Sequence, residues 1–401
     1  MSLYLDGTLG LSASAGSAVL NNTGNNVVLT AQSLSASTVT ASTSIGIGTS
    51  TPTTALQVNG VVTMGDGSQF MTAASFGMRN RIINGAMQIS QRQATGSGAT
   101  ITSSGSGVFG PDRWWTLASI TSVATVFQVA TGAYDFPYAM RVQRGNGQAS
   151  TPILYAGQTI ESYNCVDLSS QTVTLSFYAT AGANYSGGSA SVQLWTGTGT
   201  DQGTLSLNSA TWTGQTQILN AAFTPTTTRT RFSFTIPVGA GIGEMAVRWS
   251  WVTTGTAGAA DYIDFTGCQL ELGPVATPFE RKLYDQVLVD CQRYYYRMTA
   301  ANQSSMFGSG LVYSTSIAIG YIPFPVQMRI APVALEQSGT AANYEIYSPG
   351  GYTTSTSVPV LNSGDTWNAT VQFIASGYTA GQGTILRAAS ASAYLGFSAE
   401  L

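Results

Sequence analysis

At 401 residues the chain is longer than a single hydrophobic core ordinarily serves, so two or three domains are expected. Only 8% of its residues are charged and its net charge is −3, which removes the basic surface that nucleic acid requires and gives a lipid surface little to attract. Histidine is absent and Lys282 is the one lysine, which excludes Ser-His-Asp triads, Cys-His dyads and His-ligated metals, and argues against Walker-type phosphate binding and Schiff-base chemistry.

The first 44 residues are rich in Ser, Ala, Thr, Gly and Asn, with short β-branched runs such as that beginning at Val27. Alone they cannot bury enough apolar surface to offset their chain entropy. Between 45 and 77, the pairs Ile45/Ile47 and Leu56/Val58 alternate about a turn at Pro52, and Asn59-Gly60 is a second turn signal. Each strand offers two or three apolar residues, so copies of the chain are expected to supply the missing surface.

From 78 to 276 many short runs alternate apolar and polar residues, among them those beginning at Val173, Ser191, Arg231 and Met245. Gly, Asn and Pro clusters separate them, and this period of two predicts a two-sheet sandwich of jelly-roll type. Phe279, Leu283, Val287, Cys291, Tyr294 and Met298 then recur three or four apart, predicting a connecting helix over about 278–290 within the segment 277–300. Thr277, Pro278 and Glu280 have the spacing of a capping box for it. Residues 301–401 return to short alternating strands, a second β-sandwich. The fold class is therefore mainly β: a thin N-terminal region, a jelly roll, one helix and a C-terminal sandwich. No apolar run is long enough to span a bilayer, so membrane insertion is not expected.

Two motifs resemble a known family. The run from Asn80 to Arg92, followed by Pro111-Asp-Arg-Trp-Trp115, is similar to the opening of a domain found in bacteriophage and prophage tail fibres. The segment Phe265 to Arg281, followed by Cys291-Gln-Arg-Tyr-Tyr295, resembles the same domain's close. Residues 47–60 resemble a shaft element of trimeric fibres, and the run from Phe397 to Leu401 resembles the end of fibre tip domains. The resemblance implies a homotrimeric virion fibre made in the host cytoplasm. Residues 1–44 would attach to other phage tail or baseplate proteins, 45–77 would form the shaft, and the β domains would face the host. The resemblance does not name a receptor; the low-charge, Ser/Thr/Asn-rich composition suits hydroxyl-rich ligands, so the expected role is a receptor-binding protein that adheres to host-surface glycans without catalysis.

Aromatic faces suit the C–H faces of sugar rings, so the seven tryptophans are the first candidates for a glycan site. Trp249 and Trp251 share one strand face and read as core residues. Trp212, in a polar stretch, and Trp367, beside Asp365 and Asn368, are the better exposed platforms, with Asp365 a polar partner. Arg79, Arg81, Arg92 and Arg113 cluster in the opening motif and read as ties between loops and carboxylates or carbonyls. Cys165, Cys268 and Cys291 read as buried free thiols. Neither a catalytic residue, a cofactor nor a metal is expected. Two rival readings stay open: a capsid-attached or baseplate structural fibre without a receptor role, and a polysaccharide depolymerase using Asp261, Asp264 or Glu244.

Overall fold

A computed structural model describes residues 79–103 and 107–401, and before them the backbone of four short strands. The chain divides into two units, Met1–Val61 and Val62–Leu401. In the first, Ile45–Ile47 pairs in parallel with Leu56–Val58. In the second, Val62–Thr63 pairs antiparallel with Gln69–Phe70. The expected attachment region, 1–44, and the rest of the expected shaft lie outside the described residues.

Two six-stranded antiparallel sheets form the sandwich expected between 78 and 276. The first runs, in spatial order, Thr216–Phe223, Ala190–Gly197, Glu244–Val252, Ile153–Ile160, Trp115–Ala118 and Val108–Phe109. The second runs Thr230–Pro237, Thr172–Ala181, Tyr262–Leu272, Tyr138–Arg144, Ala124–Ala130 and Gly98–Thr100. From Ile153 onward the chain crosses repeatedly between sheets, as a jelly roll does. Alternation places Val247, Trp249 and Trp251 on one inner face, and Leu175, Phe177 and Phe265 on the other. The Trp249 ring centroid lies 4.7 Å from that of Phe265, 5.2 Å from Phe177 and 5.3 Å from Trp114, which ties the two sheets together. Cys165, Cys268 and Cys291 are buried free thiols, and burial pushes the Cys165 thiol up to about 12.

The connecting helix is shorter than its spacing predicts, Tyr284–Gln292, and its N-cap is Leu283 without a side-chain bond. Thr277 is not a cap. Its backbone N–H and its hydroxyl both donate to the buried Glu271 carboxylate, at 2.9 and 2.5 Å. The Glu280 backbone N–H donates to Gln269 at 2.7 Å, and the Glu280 carboxylate accepts the Asn80 N–H at 2.7 Å. Glu271 and Gln269 point outward from the second sheet yet are buried, so they need donors that a helix would keep for itself. The segment 273–283 therefore stays irregular and lies over that part of the sheet face. A short helix absent from the prediction, Thr204–Asn208, covers the outer face of the first sheet together with Trp212.

The C-terminal sandwich starts earlier than expected, at Tyr295, inside the segment read as a connector. A three-stranded sheet, Tyr295–Thr299, Tyr394–Ser398 and Leu335–Gln337, packs against a seven-stranded one. The latter runs Gly351–Thr354, Tyr344–Ser348, Gly383–Ala388, Met306–Val312, Ile317–Pro323, Asn368–Ile374 and Val360–Gly364. Phe307, Tyr344, Phe373, Leu395 and Phe397 fill the space between them.

Two arginines of the opening motif, Arg92 and Arg113, join this sandwich to the jelly roll. The buried Arg113 pairs with Glu400 through Nη1, donates from Nη2 to the Thr159 carbonyl at 2.7 Å, and stacks 3.7 Å from the Tyr294 ring centroid. Arg92 reaches Glu400 at 3.2 Å and stacks 3.5 Å from the Tyr295 ring centroid. Arg81 pairs with Asp167 at 2.6 Å, and Arg79 donates to the Thr277 hydroxyl at 3.1 Å. Arg81, Arg92 and Arg113 thus tie loops to carboxylates or carbonyls as expected from the sequence, while Arg79 meets a hydroxyl instead.

Asp112 sits in the same seam and accepts the Gln91 backbone N–H at 2.8 Å. Burial pushes its carboxyl from the ordinary 3.8 up to about 6, against the pull of Arg92 and the Gln91 hydrogen bonds. The folded chain thus holds this proton longer than the unfolded chain does. Its contribution to stability is complete below pH 3.8 and declines as pH rises through about 6, by an amount on the order of 3 kcal/mol. Comparing thermal unfolding of wild type and Asp112→Asn between pH 4 and 7 should show this decline in the wild type and its loss in the variant. Parallel curves would mean that Asp112 titrates normally.

Candidate functional site

The segment 273–283 leaves the other half of the second sheet's outer face open. Strand alternation turns Tyr262, Asp264 and Thr266 outward from Tyr262–Leu272. Pairing sets Asp264 opposite Arg141 on one side and Thr180 on the other. The resulting cleft, about 420 Å³, is lined by Arg141, Thr180, Thr227, Arg229, Tyr262 and Asp264, among others.

Its centre is a forked ion pair. Arg141 Nε and Nη2 donate to the two Asp264 oxygens at 2.8 and 2.9 Å, while the guanidinium lies 3.5 Å from the Tyr262 ring centroid. Burial pushes the Asp264 carboxyl above its ordinary range, and Arg141 partly offsets this. Donating to the Asp264 carboxylate in turn holds the Arg141 guanidinium above its own ordinary value. Arg229 at the rim pairs with Asp135 at 2.5 Å. Both cleft arginines are thus neutralised by a carboxylate. The chemistry offered is an aromatic ring, a fixed carboxylate and guanidinium, and the hydroxyls of Thr180 and Thr227. Such a set can hydrogen-bond neighbouring hydroxyls in both directions.

The sequence candidates fall elsewhere. Trp212 is only 4% exposed, packing with Trp115, Leu207 and Ala246 while its indole N–H donates to the Gly203 carbonyl at 3.1 Å. It is a core residue, not a platform; the polar stretch around it conceals the apolar sheet face beneath. Trp367 is 57% exposed, on the turn joining Val360–Gly364 to Asn368–Ile374. Asp365 shapes that turn: its Oδ1 accepts the backbone N–H groups of Trp367 at 2.6 Å and Asn368 at 2.9 Å. These bonds, the Trp367 N–H foremost, hold the Asp365 carboxyl below its ordinary value.

The three carboxylates considered for hydrolysis do not share a cleft. Asp261 is buried against Arg144 at 2.9 Å, and its other oxygen accepts the Ser186 N–H at 2.9 Å. Glu244 is buried on the first sheet and accepts the Gln202 N–H at 2.7 Å, while Asp264 lies on the second sheet. Arg141 and Tyr262 escaped the sequence reading. Tyr262 carried a signal, since it stands two residues before Asp264 and so shares its strand face. Arg141 carried none, because its partnership depends on strand register.

No protein-family model matches the chain, and no curated protein matches it. Among solved structures it is similar to a domain of tailspike protein 4 of bacteriophage CBA120, at 12% identity over 48% of this chain and 21% of that one, with a TM-score of 0.31. It is also similar to the C-terminal family 22 carbohydrate-binding module of Clostridium thermocellum Xyn10B, at 14% identity over 41% of this chain and 89% of that one, with a TM-score of 0.27. A third similarity is to the Stig cyclase Fisc from Fischerella sp. TAU, at 14% identity over 49% of this chain and 98% of that one, with a TM-score of 0.31.

Proposed function

We propose that the protein is a phage tail-fibre subunit that adheres to host-surface glycans as a homotrimer and does no catalysis. The observation that carries the glycan reading is the open cleft with Tyr262 beside the Arg141–Asp264 fork. The resemblance of Asn80 to Arg92, Pro111 to Trp115 and Phe265 to Arg281 to a tail-fibre domain supports the virion role. Residues 1–44 would hold other tail or baseplate proteins, and three weak glycan sites on one fibre would act through avidity. Among the described residues no helix is long and apolar enough to cross a membrane. A neutralised cleft suits uncharged, hydroxyl-rich sugars, which can be bound without leaving a charge unpaired.

The test is binding of the full-length chain to purified envelope polysaccharide of the host, with mass spectrometry of any released products. Wild type should bind and release nothing. Asp264→Asn should weaken binding roughly tenfold to a hundredfold, the range expected for losing one hydrogen bond to a charged group. Released oligosaccharides would overturn the non-catalytic reading. Absence of binding would favour the purely structural fibre.

A further inference from the structure

Three of the four outward sheet faces of the two sandwiches are accounted for. The first jelly-roll sheet lies under the helix Thr204–Asn208 and Trp212. The second is divided between the segment 273–283 and the polar cleft. The three-stranded sheet turns Tyr295, Arg297 and Glu336 toward Arg92 of the jelly roll. Among the described residues no helix or loop covers the outer face of the seven-stranded sheet, where six large apolar or aromatic side chains are exposed and Glu345 alone is buried beneath Arg387.

Register lays one continuous row across that face. Tyr352 pairs with Tyr347, Tyr347 with Ile385, Ile385 with Ser309, Ser309 with Tyr321, Tyr321 with Thr370, and Thr370 with Ser363. Leu311, opposite Ile319, and Met306, opposite Arg387, extend the apolar area to either side. Six large apolar or aromatic side chains stand exposed here: Met306, Leu311, Tyr321, Tyr347, Tyr352 and Val360. Seven strands spaced about 4.8 Å apart and five or six residues long cover roughly 600 Å², close to the roughly 800 Å² that one partner contributes to a standard interface.

We propose that this face is where copies of this chain meet. The proposal rests on the homotrimeric reading above and names the surface that the trimer would use. Exposed aromatics and methionine with few charges are the composition of an interface core. The seven strands contain two charged residues, Glu345 and Arg387, and these already pair at 2.6 Å with Arg387 beside the rings of Tyr347 and Tyr352. Setting the face against another copy therefore brings no unpaired like charges together. Leu311, Met306 and Val360 neither hydrogen-bond nor stack, which fits a protein partner better than a sugar.

Hydroxyl-radical footprinting of the full-length chain, with its mass measured by light scattering, tests this. Tyr134, on an exposed loop of the jelly roll, and Tyr163, exposed on the 3-10 turn Ser162–Asn164, are internal standards. The expected result is a trimer in which Tyr321, Tyr347 and Tyr352 are labelled several-fold less than the standards. In Leu311→Asp, with its circular dichroism unchanged, that protection should be lost. A trimer whose three tyrosines label in proportion to their exposure in the single chain, 44–64% against 84% and 103% for the standards, would overturn this assignment and leave the trimer standing. A monomer would overturn both. Protection that appears only on adding envelope polysaccharide would make the face a sugar platform and overturn the proposal.

Discussion

Replacing Arg113 by alanine should cost about 3–5 kcal/mol of stability, the range for breaking a buried ion pair by removing one partner. Arg113 is 1% exposed and supplies three things at once: charge to Glu400, a donor to the Thr159 carbonyl and a flat cation over Tyr294. Alanine leaves Glu400 with Arg92 alone, at 3.2 Å, and leaves the Thr159 carbonyl without this donor. Lysine would restore the charge but not the planar fork, and should recover only part of the loss. Calorimetry should show the melting temperature falling by roughly 5–15 °C. Limited proteolysis should show faster cleavage near 293–300, where the C-terminal sandwich leaves the seam. An unchanged melting temperature would mean that water already serves these groups.

Trp249→Ala should be of similar size, about 3–5 kcal/mol, through cavity formation and not through charge. The indole is fully buried between the sheets, with Phe265, Phe177 and Trp114 around it. Removing it strips contacts from both inner faces, and close-packed neighbours can collapse only part of the way. Trp249→Phe should retain much of the stability. Trp367→Ala, on an exposed turn, should stay within about 0.5 kcal/mol of wild type. Urea unfolding of the three variants gives the comparison, and equal losses for Trp249 and Trp367 would sink the assignment of one to the core and the other to the surface.

The sequence revealed the sandwiches because their strands have one buried face. Alternation in the runs from Val173, Arg231 and Met245 therefore survives as Thr172–Ala181, Thr230–Pro237 and Glu244–Val252. What stayed hidden depends on which strand lies beside which. Arg141 and Asp264 are 123 residues apart, and nothing local marks them as partners. Thr277 illustrates the opposite error: its local pattern is that of a cap, but a buried carboxylate on a neighbouring strand made the stronger demand. Trp212 failed for a related reason, since polar neighbours in sequence say little about the sheet face that a loop covers.

The pairing of Arg113 with Glu400 also sets a clock. The two residues are 287 positions apart, so one leaves the ribosome well before the other. At about 5–20 residues per second the delay is roughly 15–60 s, far longer than strands need to find one another. During that interval the corner of the jelly roll that holds Arg113 must remain hydrated. The early domain can condense while the ribosome is still at work, but it can close that corner only when the last strand arrives.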